Sequence, residues 1–232
     1  SVMAATHPVT GETLADDQTF TYSLLDEFTS VDPQIVEDVS GSDIVRDLFE
    51  GLMNQDADGN LVPGVATGYT TNDAKDVYTF TLRDNAMWSD GNPVTAHDFV
   101  YAWRRMLTPS LGSKYPDMLY DVVNAEKFNK GIIKDFDLVG VKAMDDKTLV
   151  VTLENPATYF LGLLAHYTTR PVHKPTIEKF GQIDTIGSQW TRPGNFIGNG
   201  PFTLDQWKLN KVLIVKKSEN IWDAKSVKLK EI

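Results

Sequence analysis

Cysteine is absent from the 232 residues. This excludes disulfides, thiolate nucleophiles, cysteine-ligated metals and a lipid-bearing N-terminal cysteine within this sequence. No apolar run approaches the roughly 20 residues of a membrane-spanning helix. Ser1 to Thr19 is small and polar and lacks the apolar core of a secretory leader, so any leader is expected to have been removed. Cations are also scarce, with 22 Lys and Arg against 32 Asp and Glu and a formal net charge of −10, and they are scattered along the chain. Phosphate recognition needs clustered cations, so nucleic acid is not an expected partner.

Catalytic signatures are missing too. There is no G-x-S-x-G elbow, and Gly41-Ser42 reads as the opening of a helix. His7, His97, His166 and His173 show no metal-ligand spacing. His97 and Asp98 are neighbours in one predicted helix, where side chains diverge by about 100° and cannot readily share a ligand. Gly194 to Gly200 (GNFIGNG) lacks the Lys-Ser/Thr of a phosphate loop and reads as a shaped loop facing a cleft. In Asp56 to Asn60 the glycine is fourth and Leu61 is sixth, which does not fit a calcium loop and does fit a tight turn. No metal and no cofactor is expected. One enzymatic reading survives, a carboxylate-based hydrolase using the pair Glu37 and Asp38 in a predicted loop.

What is present suits a folded chain, with 41% hydrophobic and 10% aromatic residues. Alternating β-formers predict strands at Gln18 to Leu24 and Val77 to Arg83, and a hairpin of Val139 to Ala143 with Thr148 to Leu153. Helical spacing predicts helices over Ser42 to Met53 and Ala96 to Leu107, the second with Thr95 and Asp98 as a capping box and Pro109 as its stop. Shorter helices are read at Tyr159 to Leu164 and Ile177 to Phe180. Thr169 to Pro175 is bounded by prolines and reads as a linker between lobes. Phe202 to Trp207 and Lys211 to Lys217 pair as strands, and Ser226 to Ile232 looks like the start of another. With no partner for that strand in view, the chain reads as part of a longer one. The order of elements predicts a mixed α/β (α+β) fold.

Several runs carry a resemblance. Gly64-Val65-Ala66, Tyr78 to Gly91 (YTFTLRDNAMWSDG), Pro93 to Tyr101 (PVTAHDFVY), Asp32-Pro33 and Arg46 to Gly51 (RDLFEG) form one group. Val141-Lys142-Ala143 with Asp145-Asp146, Glu178 to Gly181 and Asn199 to Phe202 form another. Together they resemble the bacterial extracellular solute-binding proteins of family 5, and most closely its oligopeptide-binding members. The resemblance implies a periplasmic-binding-protein-like fold, here one incomplete lobe with a smaller inserted lobe. Residues 1–49 and 174–232 would be two segments of the larger lobe and 50–173 the insert, with the C-terminal half of the family architecture absent. Two crossing strands would make a hinge.

The resemblance further implies a periplasmic monomer rather than an enzyme. It would be the substrate-binding component of an ABC-type importer, holding an extended peptide through main-chain bonds and delivering it to membrane permease subunits. Other members take dipeptides, nickel chelates or haem. Carried over by motif, Glu37, Asp38 and Val39 match the loop that meets the peptide backbone, and Tyr115 matches a cleft tyrosine of the smaller lobe. The carboxylate that captures a peptide's amino terminus would lie beyond this chain.

Overall fold

The computed structural model describes residues 6–7, 9–24 and 26–232; the expectation about a leader falls partly on residues 1–5, outside that range. Asp38 opens the first helix. Its backbone is extended (φ −93°, ψ 156°) and its carboxylate accepts the Gly41 N–H at 2.6 Å, satisfying one orphan donor of the first turn. Helix α1 therefore spans Val39–Leu48, beginning before the predicted Ser42 and stopping short of Met53. Gly41 and Ser42 lie inside its first turn, where the Ser42 hydroxyl donates to the Val39 carbonyl. Ile44, Val45 and Leu48 form its buried face.

Strands β1 (Met53–Gln55) and β2 (Leu61–Pro63) pair around the Asp56 turn. The Asp56 carboxylate accepts the N–H groups of Asp58 and Asn60, and Gly59 takes φ +82°. The acidic run is thus a side-chain-stabilised turn. Among the described residues no cluster of three His, Asp or Glu is placed to hold a metal.

Next come β3 (Ala66–Thr71), β4 (Val77–Leu82), α2 (Ala96–Leu107), α3 (Ala125–Asn129), β5 (Val141–Asp145) and β6 (Thr148–Thr152). The strands form an antiparallel sheet in the order β3-β4-β6-β5, with Phe80 opposite Leu149 and Tyr78 opposite Val151. Alternation buries Tyr78, Phe80 and Leu82 on one face. Helix α2 lies against this sheet and buries Phe99, Trp103 and Met106, and its capping box of Thr95 and Asp98 forms as the sequence indicates. Asp98 is occupied by that cap and by Trp88 Nε1 at 3.3 Å, whereas exposed His97 faces Asp146. The adjacent pair shares nothing.

Helix α4 (Phe160–Leu163) and a 3₁₀ turn at Tyr167–Thr169 lead to α5 (Lys174–Phe180). The irregular stretch is shorter than predicted, because Pro175 sits in the first turn of α5, where its missing N–H costs nothing. Hairpin β7 (Phe202–Lys208) and β8 (Val212–Lys217) follows. Beside it, Ile232 and Val215 exchange N–H···O bonds of 2.9 and 3.0 Å. On the far side of that last segment, Lys230 N–H donates to Gln18 and Phe20 N–H to Glu231. Gln18 to Leu24 is therefore not a regular strand: among the described residues its one bridge is Thr19–Glu231.

The chain crosses between these two regions at Leu48 to Gly51, directly over Gly198 to Gly200. Gly200 N–H donates to Leu48 O at 3.0 Å, and a Cβ on either glycine would overlap the α1 backbone. The glycine-rich loop thus supports the end of α1 rather than lining an open cleft. Asn199 bonds both backbone groups of Glu50 at 3.0 Å, and buried Arg170 donates from one nitrogen to Val45 O and Phe49 O. Val45 O also accepts the Phe49 N–H at 3.0 Å, so Arg170 adds a second donor there and a side-chain donor to Phe49 O just past the helix end.

Candidate functional site

The segment from Asp32 to Val39 begins as a turn and ends as a helix cap. Asp32 O accepts the N–H groups of Ile35 and Val36 at 3.0 Å, and its carboxylate accepts Gln34 N–H at 3.1 Å. Three contacts from later in the chain hold the turn. Arg105 reaches Asp32 with two nitrogens at 2.7 and 2.6 Å, Gln34 Nε2 donates to Thr168 O and Arg170 O, and Tyr167 OH donates to Val36 O at 3.0 Å.

Glu37, Asp38 and Val39 follow at the surface. Glu37 is exposed, and its carbonyl lies 3.4 Å from the Tyr115 hydroxyl that donates to it. The Glu37 and Val39 N–H groups have no acceptor among the described residues. Val39 is 76% exposed although it opens an amphipathic helix. The Asp38 carboxylate is turned back onto Gly41, leaving Glu37 without a free partner acid from that pair. The structure thus brings Tyr115 to the Glu37–Val39 loop across 78 residues of sequence, and it engages Asp38 as a helix cap.

Sequence reasoning missed the floor of this face. The Tyr115 ring lies 5.5 Å from His166 and 6.2 Å from Tyr167, whose rings are 4.4 Å apart, with Arg46 5.8 Å over Tyr167. Burial, reinforced by Arg46 and Arg170, pushes His166 below its ordinary value, so the ring is neutral at neutral pH, and its Nδ1 lies 2.8 Å from the Thr168 hydroxyl. Burial raises the Tyr167 phenol, with Tyr115 adding to the rise. The result is an uncharged aromatic floor beside exposed main-chain donors. A scan for histidine spacing passes over His166 because its partners are tyrosines from distant turns.

A cavity of about 710 Å³ lies elsewhere, between Tyr22, Phe28, Ile44, Trp207 and Leu213. None of the four predicted site residues lines it.

Against known proteins, residues 60–232 match the family model "Bacterial extracellular solute-binding proteins, family 5 Middle". The chain is 46% identical to the periplasmic oligopeptide-binding protein OppA of Escherichia coli K12 over 94% of this chain and 39% of that protein. It is 40% identical to the periplasmic murein peptide-binding protein MppA of the same organism, over 98% of this chain and 41% of the relative. The solved structure of Haemophilus influenzae OppA in complex with the peptide RPPGFSPFR superposes with a TM-score of 0.88 at 32% identity, covering 94% of this chain and 42% of that one. The chain spans about two fifths of the length of the curated relatives it matches.

Proposed function

We propose a peptide-capture role for this chain, which belongs to the bacterial extracellular solute-binding proteins of family 5. That family comprises binding proteins and not enzymes, and the fold is that of the periplasmic binding proteins. In this reading the chain supplies one wall of an oligopeptide cleft. Residues 1–49 and 174–232 are two segments of a larger lobe, and 50–173 is the smaller inserted lobe. The complete protein works in the periplasm and passes its ligand to the permease subunits of an ATP-driven importer.

One observation carries the reading: Glu37 and Val39 are exposed, Asp38 between them is extended, and the Glu37 and Val39 N–H groups have no acceptor among the described residues. An extended peptide laid along it forms main-chain hydrogen bonds, as an added strand does, and bonds of that kind do not depend on ligand side chains. Tyr115 flanks the loop with a hydroxyl and a ring, and Val39 offers an apolar contact. The Glu37 carboxylate is available for a ligand cation or amide.

Native mass spectrometry of the full-length protein tests this directly. Retained peptides of mixed sequence are the expected result, and Tyr115→Ala lowers their occupancy. A retained non-peptide solute, or occupancy indifferent to Tyr115, overturns the assignment.

A further inference from the structure

We infer that Arg105 is a positioning residue for the peptide-contact loop, holding Glu37 to Val39 in shape through Asp32 and Gln34. The inference rests on the reading of that loop given above. Arg105 sits in the last turn of α2 with 0% of its surface exposed. Its guanidinium makes a two-pronged bond to Asp32 at 2.7 and 2.6 Å and a third bond to Gln34 Oε1 at 2.9 Å. Gln34 spends its own amide on Thr168 O at 3.2 Å and Arg170 O at 3.1 Å. Through Gln34, one cation therefore joins α2, the early turn and the 3₁₀ turn that carries Tyr167.

The consequence for the loop is geometric. Asp32 O anchors the Ile35 and Val36 N–H groups, and Tyr167 anchors Val36 O. Two residues after Val36, Asp38 is fixed as the α1 cap. Between these anchors Glu37 has only the long Tyr115 contact, so its position follows from the two ends. The guanidinium fork matches a carboxylate in one plane, which transmits orientation as well as attraction.

Stability alone is a poor explanation for this arrangement. A buried ion pair is often replaceable by apolar residues without loss, and Arg105 also leaves its Nε without a partner. The ring of Trp190, 5.8 Å from the guanidinium, adds a wall from a third part of the chain.

Hydrogen–deuterium exchange on the ligand-free full-length protein, paired with peptide titration, tests the proposal. In Arg105→Met the hydrogen-bonded amides of residues 34–36 exchange faster while β3 to β6 keep their protection, and peptide affinity falls by about tenfold or more. Arg105→Lys, which keeps the charge but not the fork, recovers only part of the loss. If Arg105→Met does not fold, Gln34→Met leaves the Asp32 pair intact, cuts the bonds to Thr168 and Arg170, and shows the same local exchange at smaller amplitude. Unchanged exchange at 34–36, or a rise spread evenly over the chain, overturns the clamp. Failure of the unsubstituted protein to bind any peptide overturns the site reading instead, and the exchange pattern still decides the clamp.

Discussion

Asp47, in α1, carries a carboxyl held well above its ordinary value. Burial raises its carboxyl to about 6 against the pull of Arg170, and Asp43 adds to the rise. Glu50 is raised in the same direction by burial, against hydrogen bonds from Trp222 and Asn54. Between the ordinary 3.8 and about 6 the folded protein keeps a proton on Asp47 that the unfolded chain has released. Ionisation of Asp47 therefore opposes folding, and its contribution to stability falls as pH rises through that window. His166 and His173, both lowered by burial, act oppositely: the unfolded chain takes up protons first, so their contributions are lost on acidification. Comparing wild type with Asp47→Asn isolates one term. The variant should melt higher at pH 7, with its advantage shrinking toward pH 4; an advantage independent of pH would sink the assignment.

At the scale of elements, the crossing of α1 over Gly198–Gly200 is where tolerance is smallest. A methyl at Gly200 meets the carbonyl carbon of Leu48, the nitrogen of Phe49 and the carbonyl of Asp47, all of them backbone. Backbone cannot turn aside as a side chain can. Gly200→Ala is expected to lower unfolding free energy by roughly 1–3 kcal/mol in urea titration; no change would mean that the crossing can open. Legibility follows the same division. Helix α2 was readable to its ends because the Thr95–Asp98 box and Pro109 are local signals. The β5–β6 hairpin was readable because its turn lies between its own strands. Gln18 to Leu24 was misread because alternation describes a strand's faces and not its partner, which here is some 210 residues away. The start of α1 was misread because a Gly-Ser pair looks like a boundary, whereas the carboxylate three residues earlier makes the cap.

For the molecule as a whole, the candidate face is one-sided. The Glu37 loop and Tyr115 present donors and an apolar floor, and the relatives extend well beyond the matched region. Strand-like capture of a peptide needs contacts on more than one side to offset the loss of translational and conformational freedom. The 232-residue chain by itself should thus bind short mixed peptides weakly or undetectably in calorimetry, and micromolar or tighter binding would show that this wall suffices.

Family, fold class and the local elements were decided by the order of residues, because capping, alternation and turn chemistry act over a few positions and the quoted motifs are contiguous. The early loop and Tyr115 could be named from the resemblance. Their juxtaposition, the His166–Tyr167 floor beneath them and the Arg105 clamp behind them were decided only by the fold. Each joins residues tens of positions apart through burial, and burial is a property of the packed chain that no local pattern encodes.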